Sequence, residues 1–200
     1  MEFVLSLCLG IGLSAACGFR VFVPMLGMSV ASMAGHLHLS PGFEWIGTPA
    51  ALVCFLAATS LEITAYYVPW LDNLLDTIAT PSSVVAGSIT LAATLAPTPM
   101  ATEMSPLLRW SLAIIAGGGI AGLIQLSTVG IRGTSTVTTA GLANFLVSTG
   151  ELILSVATTF LAIVLPVLCL ALVAATTAFI VNRRFLRRKK VSLKPLKSQA

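Results

Sequence analysis

Charged side chains are too scarce in this sequence to cover a surface that faces water. Only 9% of the 200 residues are Asp, Glu, Lys or Arg, whereas 56% are hydrophobic. A soluble domain typically has about 25% charged residues, which keep its exterior hydrated. The sequence therefore predicts a chain whose solvent is a lipid bilayer. This argues against a secreted or cytosolic enzyme, a nucleic-acid-binding domain and a disulfide-stapled miniprotein.

The basic residues are concentrated at the C-terminal end. Eight of the 11 Lys and Arg residues lie in residues 183–200, so residues 1–182 carry three basic and seven acidic side chains. Basic residues next to a span stay on the cytoplasmic side. We therefore expect one transmembrane domain over residues 1–182, followed by a cytoplasmic tail that touches anionic lipid headgroups. No nucleic-acid partner is expected, because a stop-transfer anchor explains the cluster.

The apolar segments do not correspond to simple spans. A helix needs about 20 residues to cross the hydrocarbon core. Residues 3–34 are too long for one span and are interrupted near Arg20 and at Pro24, and residues 151–182 are interrupted by Pro166. The sequence predicts an all-α, polytopic membrane protein with broken or re-entrant helices, whose non-helical backbone is buried or lines a cavity.

Two arginines lie inside apolar segments. Residues 10–20 and 122–132 resemble each other at a constant offset, and each ends in a Gly-x-Arg motif, at Arg20 and Arg132. An arginine at the bilayer centre costs about 2.5–3.5 kcal/mol on the translocon scale, so charged partners are needed nearby. Because glycine lets the backbone turn, we expect a helix interruption at each arginine, with both meeting near the midplane.

A carboxylate and then a proline follow each Gly-x-Arg motif. Glu62 and Glu151 each stand where a helix is expected to open. The obvious partners of the arginines are Glu62, Glu151, Asp72 and Asp76. We interpret the order as two related repeats, about residues 1–98 and 107–182. Duplication with interrupted helices is typical of transporters, whose sites lie where the repeats meet. The alternative is that the Arg–Glu pairs only lock the two halves together.

A stripe of polar residues follows Glu62. If residues 62–76 are helical, one face carries Glu62, Tyr66, Pro69, Asn73 and Asp76, with Asp72 beside it. One interpretation is a cation or proton pathway with oxygen ligands. The other is the wet face of an interfacial helix.

Hydroxyl side chains are frequent around Arg132, as a hydrated cavity wall would require. The run comprises Ser127, Thr128, Thr134, Ser135, Thr136, Thr138 and Thr139. The alternative interpretation is that these hydroxyls satisfy backbone groups.

No motif indicates catalysis, a cofactor or a metal. His36 and His38 form an isolated H-x-H pair in a loop bounded by Gly and Pro, which is a weak metal signal. Walker, nucleophile-elbow and HExxH patterns do not occur. We therefore predict no catalytic residue, no metal and no cofactor.

Two segments of this sequence resemble a known family. They are residues 10–24, GIGLSAACGFRVFVP, and residues 61–81, LEITAYYVPWLDNLLDTIATP. The family consists of small bacterial multi-pass membrane proteins catalogued as a domain of unknown function. The resemblance extends over most of residues 1–180 and implies an integral inner-membrane protein without an established activity.

The leading functional hypothesis is a small transporter or channel-like permease for an anionic or amphipathic solute, with protons on Glu62 and Glu151 as one means of coupling. So short a chain has few spans to enclose a path, so we expect a homo-oligomer. The alternatives are a membrane-embedded enzyme acting on lipid or isoprenoid and a non-catalytic scaffold. The candidate solute-binding residues are Arg20, Arg132, Glu62, Glu151, Tyr66, Asp72, Asn73 and Asp76.

Overall fold

The computed structural model describes residues 1–95, 101, 103–139 and 143–192, and all regular secondary structure in these ranges is helical. Short 3₁₀ and π-helical segments lie at Glu44–Gly47 and Ala113–Gly118, the latter inside α5. The helices are α1 (Glu2–Cys17), α2 (Phe22–Met33), α3 (Pro49–Ala65), α4 (Pro69–Thr94), α5 (Pro106–Thr139), α6 (Asn144–Val164) and α7 (Pro166–Ser192).

The predicted interruption near Arg20 is confirmed. α1 ends at Cys17 and α2 begins at Phe22, so Arg20 lies in non-helical backbone between them. Gly18, which follows α1, has an ordinary right-handed φ of −74°. Packing requires the glycine instead, since a Cβ at this position would lie 2.6 Å from the carbonyl oxygen of Ala121 in α5.

α1 and α2 form a hairpin with Arg20 at its tip. Gly12 of α1 and Gly27 of α2 lie against Ala162 and Thr159, which are close together near the C-terminal end of α6. Arg20 contacts the N-terminal part of α6 instead. The two helices therefore run in opposite directions along α6. At 1.5 Å per residue they are about 24 and 18 Å long, too short to cross the roughly 30 Å core of a bilayer singly.

Several other helices begin or end near this tip. We call this part of the structure the Arg20 end of the bundle. α3 reaches it through Glu62, which contacts the start of α2, and α5 reaches it through Arg132, which contacts Glu151 of α6. α4 and α6 start at this end, and α7 returns towards it from Pro166. The interruption predicted at Pro166 is confirmed, because α6 ends at Val164.

Two expected interruptions are absent. α2 starts at Phe22 and continues through Pro24, because a proline is tolerated in the first turn of a helix. α5 passes through Gly130 and Arg132 without a break and ends at Thr139. An isolated glycine costs an α-helix only about 1 kcal/mol, which backbone hydrogen bonding in an apolar setting outweighs.

The single helix considered over residues 62–76 does not form, because α3 ends at Ala65 and α4 starts at Pro69. The residue before a proline disfavours helical backbone, and this effect separates the two helices.

Two helices in the described ranges are long and apolar enough to cross a membrane, by length and composition. They are α5, with 34 residues, and α6, with 21 residues. Both have a mean hydropathy of 1.8 over their most apolar window.

α4 and α5 approach each other through glycines. A Cβ at Gly87 would lie 2.7 Å from the carbonyl oxygen of Gly117, and one at Gly117 would lie 2.5 Å from that of Gly87. Both distances are shorter than van der Waals contact with backbone atoms, which cannot move aside as a flexible side chain can. Small residues allow helix backbones this close an approach.

We predict opposite effects of alanine at two glycines. Gly87→Ala should lower the free energy of unfolding by about 1–3 kcal/mol, because it overpacks the contact between α4 and α5. The matched control is Gly130→Ala in α5, where an added Cβ meets nothing within 4 Å, and it should be neutral or stabilising by up to about 1 kcal/mol. Unfolding in mixed micelles measures both, and equal effects of the two substitutions would contradict this packing.

Candidate functional site

Arg20 is buried at the tip of the α1–α2 hairpin, with 2% of its surface exposed. Its Nη2 donates to the backbone oxygen of Ser148 at 2.9 Å and to the Ser148 hydroxyl at 2.6 Å. The same nitrogen lies 3.8 Å from Glu151 Oε2, within ion-pair range. Its Nε and Nη1 are buried and have no hydrogen-bond partner among the described residues. Arg20 therefore retains donors that a ligand could use.

Arg132 and Glu151 form a bidentate ion pair between α5 and α6. Arg132 Nε donates to Glu151 Oε1 at 3.1 Å, and Nη2 donates to Oε2. Both side chains are 3% exposed. The parallel N–H bonds of a guanidinium match the two oxygens of a carboxylate in this geometry. The prediction that Arg132 has a carboxylate partner is confirmed.

Tyr66 stacks on both arginines. The guanidinium carbons of Arg20 and Arg132 lie 3.9 and 4.1 Å from the centre of its ring. Each cation–π contact contributes about 0.5–2 kcal/mol, more when it is desolvated. Tyr66 is 4% exposed, so one buried ring contacts both buried cations within the protein interior.

Glu62 binds backbone groups rather than a guanidinium. Its Oε1 and Oε2 accept hydrogen bonds from the backbone N–H groups of Val21 and Phe22, at 2.8 and 3.1 Å. These amides stand at the start of α2, where the helix dipole attracts negative charge. The described contacts therefore show no direct ion pair of an arginine with Glu62. Arg20 and Arg132 are both close enough to attract this carboxylate at longer range.

Asp72, Asn73 and Asp76 lie in the first part of α4, and their side chains are outside what the structure describes. The end of α3 at Ala65 removes the single helix face on which they would join Glu62. Among the residues whose side chains are described, the site is built from Arg20, Arg132, Glu62, Glu151 and Tyr66.

The two carboxylates do not occupy equivalent places. Glu62 lies in the last turn of α3, whereas Glu151 lies seven residues beyond the start of α6, so neither opens its helix. α6 directly follows the helix of Arg132, but α3 is separated from the tip at Arg20 by α2. The repeated order of residues in the sequence is thus not matched by repeated positions of the carboxylates.

Hydroxyl groups near Arg132 bind their own helix. Ser127 donates to the Leu123 carbonyl at 2.7 Å, Thr134 to Gly130 at 2.9 Å and Thr138 to Thr134 at 2.9 Å. These bonds fit the alternative in which hydroxyls satisfy backbone oxygens. Ser127 and Thr128 also line a cavity of about 470 Å³ between α1, α5, α6 and α7.

Sequence reasoning missed Ser148, which binds Arg20. The signal was available, because Ser148 precedes Glu151 by three residues and residues at i and i+3 share a helix face. It also missed the contact of Tyr67 with Thr149, whose hydroxyl oxygens lie 3.1 Å apart, and the tilted ring contact of Tyr67 with Phe145. These contacts join the turn before α4 to α6.

An apolar cavity adjoins the site. It has a volume of about 420 Å³ and lies among α2, α3 and α4, with Glu62 and Tyr66 in its wall. A second cavity of about 410 Å³ shares Val21, Phe22 and Ser82 with it. Arg20 and Arg132 contact the Tyr66 ring but are not among the residues that line these two cavities. In the described part of the chain, no group of three or more His, Cys, Asp or Glu side chains is arranged to hold a metal.

The fold and this site define an all-helical protein with a buried, ion-paired centre beside an apolar cavity. The chain belongs to the family described as Domain of unknown function (DUF4126), whose model matches residues 7–184. This confirms the resemblance found in the sequence. Neither the curated proteins nor the solved structures contain a match to the chain.

We predict that the Arg132–Glu151 pair is strongly coupled. Glu151→Leu or Arg132→Leu alone should each lower the free energy of unfolding by about 3–5 kcal/mol, because each leaves a buried charge without its partner. The double variant should lose much less than the sum of the two. Unfolding in mixed micelles gives the coupling energy, and additive effects would contradict the buried pair.

Proposed function

We propose that this protein is a small multi-pass membrane transporter or channel-like permease for a solute that carries an anionic group. Arg20 would bind the anion, Arg132 and Glu151 would hold the site together, and Glu62 would be the counter-charge that the solute replaces. The observation that carries the proposal is the buried Arg20 guanidinium with two donor nitrogens that no described residue accepts from.

The distribution of side chains supports insertion into a bilayer. Leu61, Ile115 and Phe160 are 71%, 76% and 67% exposed, as lipid-facing residues would be. In contrast, Ser14 and Thr90 are fully buried between helices. Water would penalise such an apolar exterior, whereas lipid accepts it, and small or polar residues are common between membrane helices.

The site would lie below one membrane surface rather than at the midplane. Arg132 is seven residues before the end of α5, and Glu151 is seven residues beyond the start of α6. At 1.5 Å per residue both lie about 10 Å along their helices from the α5–α6 connection. α7 runs towards the same end, and the basic tail that follows it supports a site nearer the cytoplasmic face of a bacterial inner membrane.

A non-catalytic scaffold is the second candidate. The bidentate Arg132–Glu151 pair favours it, because an arginine whose carboxylate partner binds two of its nitrogens has a sufficient structural role. Arg20 distinguishes the two candidates, since a scaffold has no use for its remaining donors.

Arg20→Gln tests transport. In proteoliposomes on a solid-supported membrane, jumps in the concentration of inorganic phosphate, acetate or tetradecyl phosphate should give currents with the natural protein. Arg20→Gln should reduce the current at least tenfold while the protein still folds. Arg109→Gln is the matched control, because Arg109 donates to the Ala92 carbonyl at the opposite end of the bundle, and its currents should be unchanged.

The outcomes separate the candidates. Loss of current with a normal yield of folded Arg20→Gln protein supports transport. The scaffold hypothesis is favoured if the natural protein gives no current with any of the three anions and Arg20→Gln yields less folded protein.

We also propose that the protein works as a homo-oligomer, because one chain of this size provides few spans around a path. Native mass spectrometry of protein released from lipid nanodiscs should show dimers or larger assemblies, and monomers alone would contradict this.

A further inference from the structure

The carboxylate of Glu62 occupies an anion-binding place formed by the protein itself. It accepts hydrogen bonds from Val21 and Phe22 at the start of α2, a helix of 12 residues. Backbone N–H groups at a helix start bind phosphate and carboxylate groups of ligands in the same way. Glu62 is 7% exposed, so this place is shielded from bulk solvent.

Arg20, the residue that precedes these two in the sequence, provides further hydrogen-bond donors. Its guanidinium attracts the Glu62 charge, yet its Nε and Nη1 have no hydrogen-bond partner among the described residues. A buried donor without a partner costs about 1–3 kcal/mol. The two oxygens of Glu62 are both engaged by the amides. A phosphate monoester has three terminal oxygens, enough to accept from both amides and from Arg20 together.

The cavity beside Glu62 accommodates an apolar chain. Apart from Glu62, Tyr66 and Ser82, its wall consists of apolar side chains, and it shares three residues with the neighbouring cavity. On α4 the two cavities extend from Leu75 to Ile89. This is about 21 Å at the rise of an α-helix, which is long enough for an extended alkyl chain.

We propose that the ligand of this site is a phosphate monoester of a long-chain alcohol. The phosphate displaces the Glu62 carboxylate from the amides of Val21 and Phe22 and accepts from Arg20, while the chain lies in the apolar groove formed by the two cavities among α2, α3 and α4. This inference rests on the proposed function and names the class of its solute. Glu62 acts as an internal competitor for the anion place.

Competition by Glu62 predicts a gain of affinity on its removal. In neutral maltoside detergent, tetradecyl phosphate should raise the thermal unfolding midpoint of the natural protein, whereas tetradecanol should not, and inorganic phosphate should need at least tenfold higher concentrations. Glu62→Gln should bind tetradecyl phosphate at least threefold more tightly, because the amide side chain competes without charge. The matched control Glu44→Gln changes an exposed carboxylate in the loop before α3 and should leave affinity unchanged.

A pair of alanines tests the groove independently of how Glu62→Gln folds. Ala58 lines the cavity, whereas its neighbour Ala57 is exposed and lies outside it. Ala58→Phe should weaken tetradecyl phosphate binding at least tenfold, and Ala57→Phe should not alter it.

Three results would overturn the inference. If folded Glu62→Gln binds tetradecyl phosphate equally or more weakly, Glu62 does not compete for the anion site. If Ala58→Phe binds it normally, the chain does not lie in the groove. Inorganic phosphate that binds through Arg20 as tightly as tetradecyl phosphate would also overturn it, although the proposed anion transport would stand. If no anion binds and no anion gives a current, both this inference and the proposed transport function are overturned.

Discussion

The burial of the Arg20 guanidinium is the constraint on which the rest of the site depends. A charged group away from water needs compensation from its surroundings, and this one receives it from α6 and from the turn after α3. Ser148 of α6 supplies two acceptors, Glu151 lies within ion-pair range, and the Tyr66 ring covers one face. The hairpin of α1 and α2 brings Arg20 to these partners, because neither helix is long enough to pass beyond them.

Tyr66 connects this arginine with the second charged centre. Arg132 needs its own compensation, which it obtains from Glu151 and from the same ring. Glu151 serves both arginines, since its Oε2 lies 3.8 Å from Arg20 while it also accepts from Arg132. A substitution of one arginine therefore alters the environment of the other, because both contact the same ring and the same carboxylate.

Much of this site could be predicted from residue types and spacing. Arginines in apolar segments require acidic partners, and Glu151 was one of the four carboxylates expected to fill this role. The Gly-x-Arg motif at Arg20 correctly indicated a break. The break expected at Arg132 is absent, because a glycine only weakens a helix and the apolar setting favours intact backbone hydrogen bonds.

The partner of Glu62 could not be predicted in the same way. Its amide partners belong to a helix 40 residues earlier, and no periodicity within α3 indicates a contact with the start of α2. The turn at Tyr66, in contrast, could be predicted. Pro69 indicates a helix break before it, and this signal outweighs the apparent stripe of polar residues from 62 to 76. Local rules thus located the charged residues, while the packing of α3 against α2 decided which groups they bind.

The most direct measurement of the central claim is NMR of protein labelled with ¹⁵N-arginine. The Nε–H signals of Arg20 and Arg132 are assigned by their loss in Arg20→Lys and Arg132→Lys. On titration with tetradecyl phosphate, we expect the Arg20 signal to move, because its Nε gains an acceptor, while the Arg132 signal, whose Nε already donates to Glu151, stays nearly fixed. An Arg20 signal that no anion shifts would contradict the claim that this buried guanidinium is an open anion-binding group.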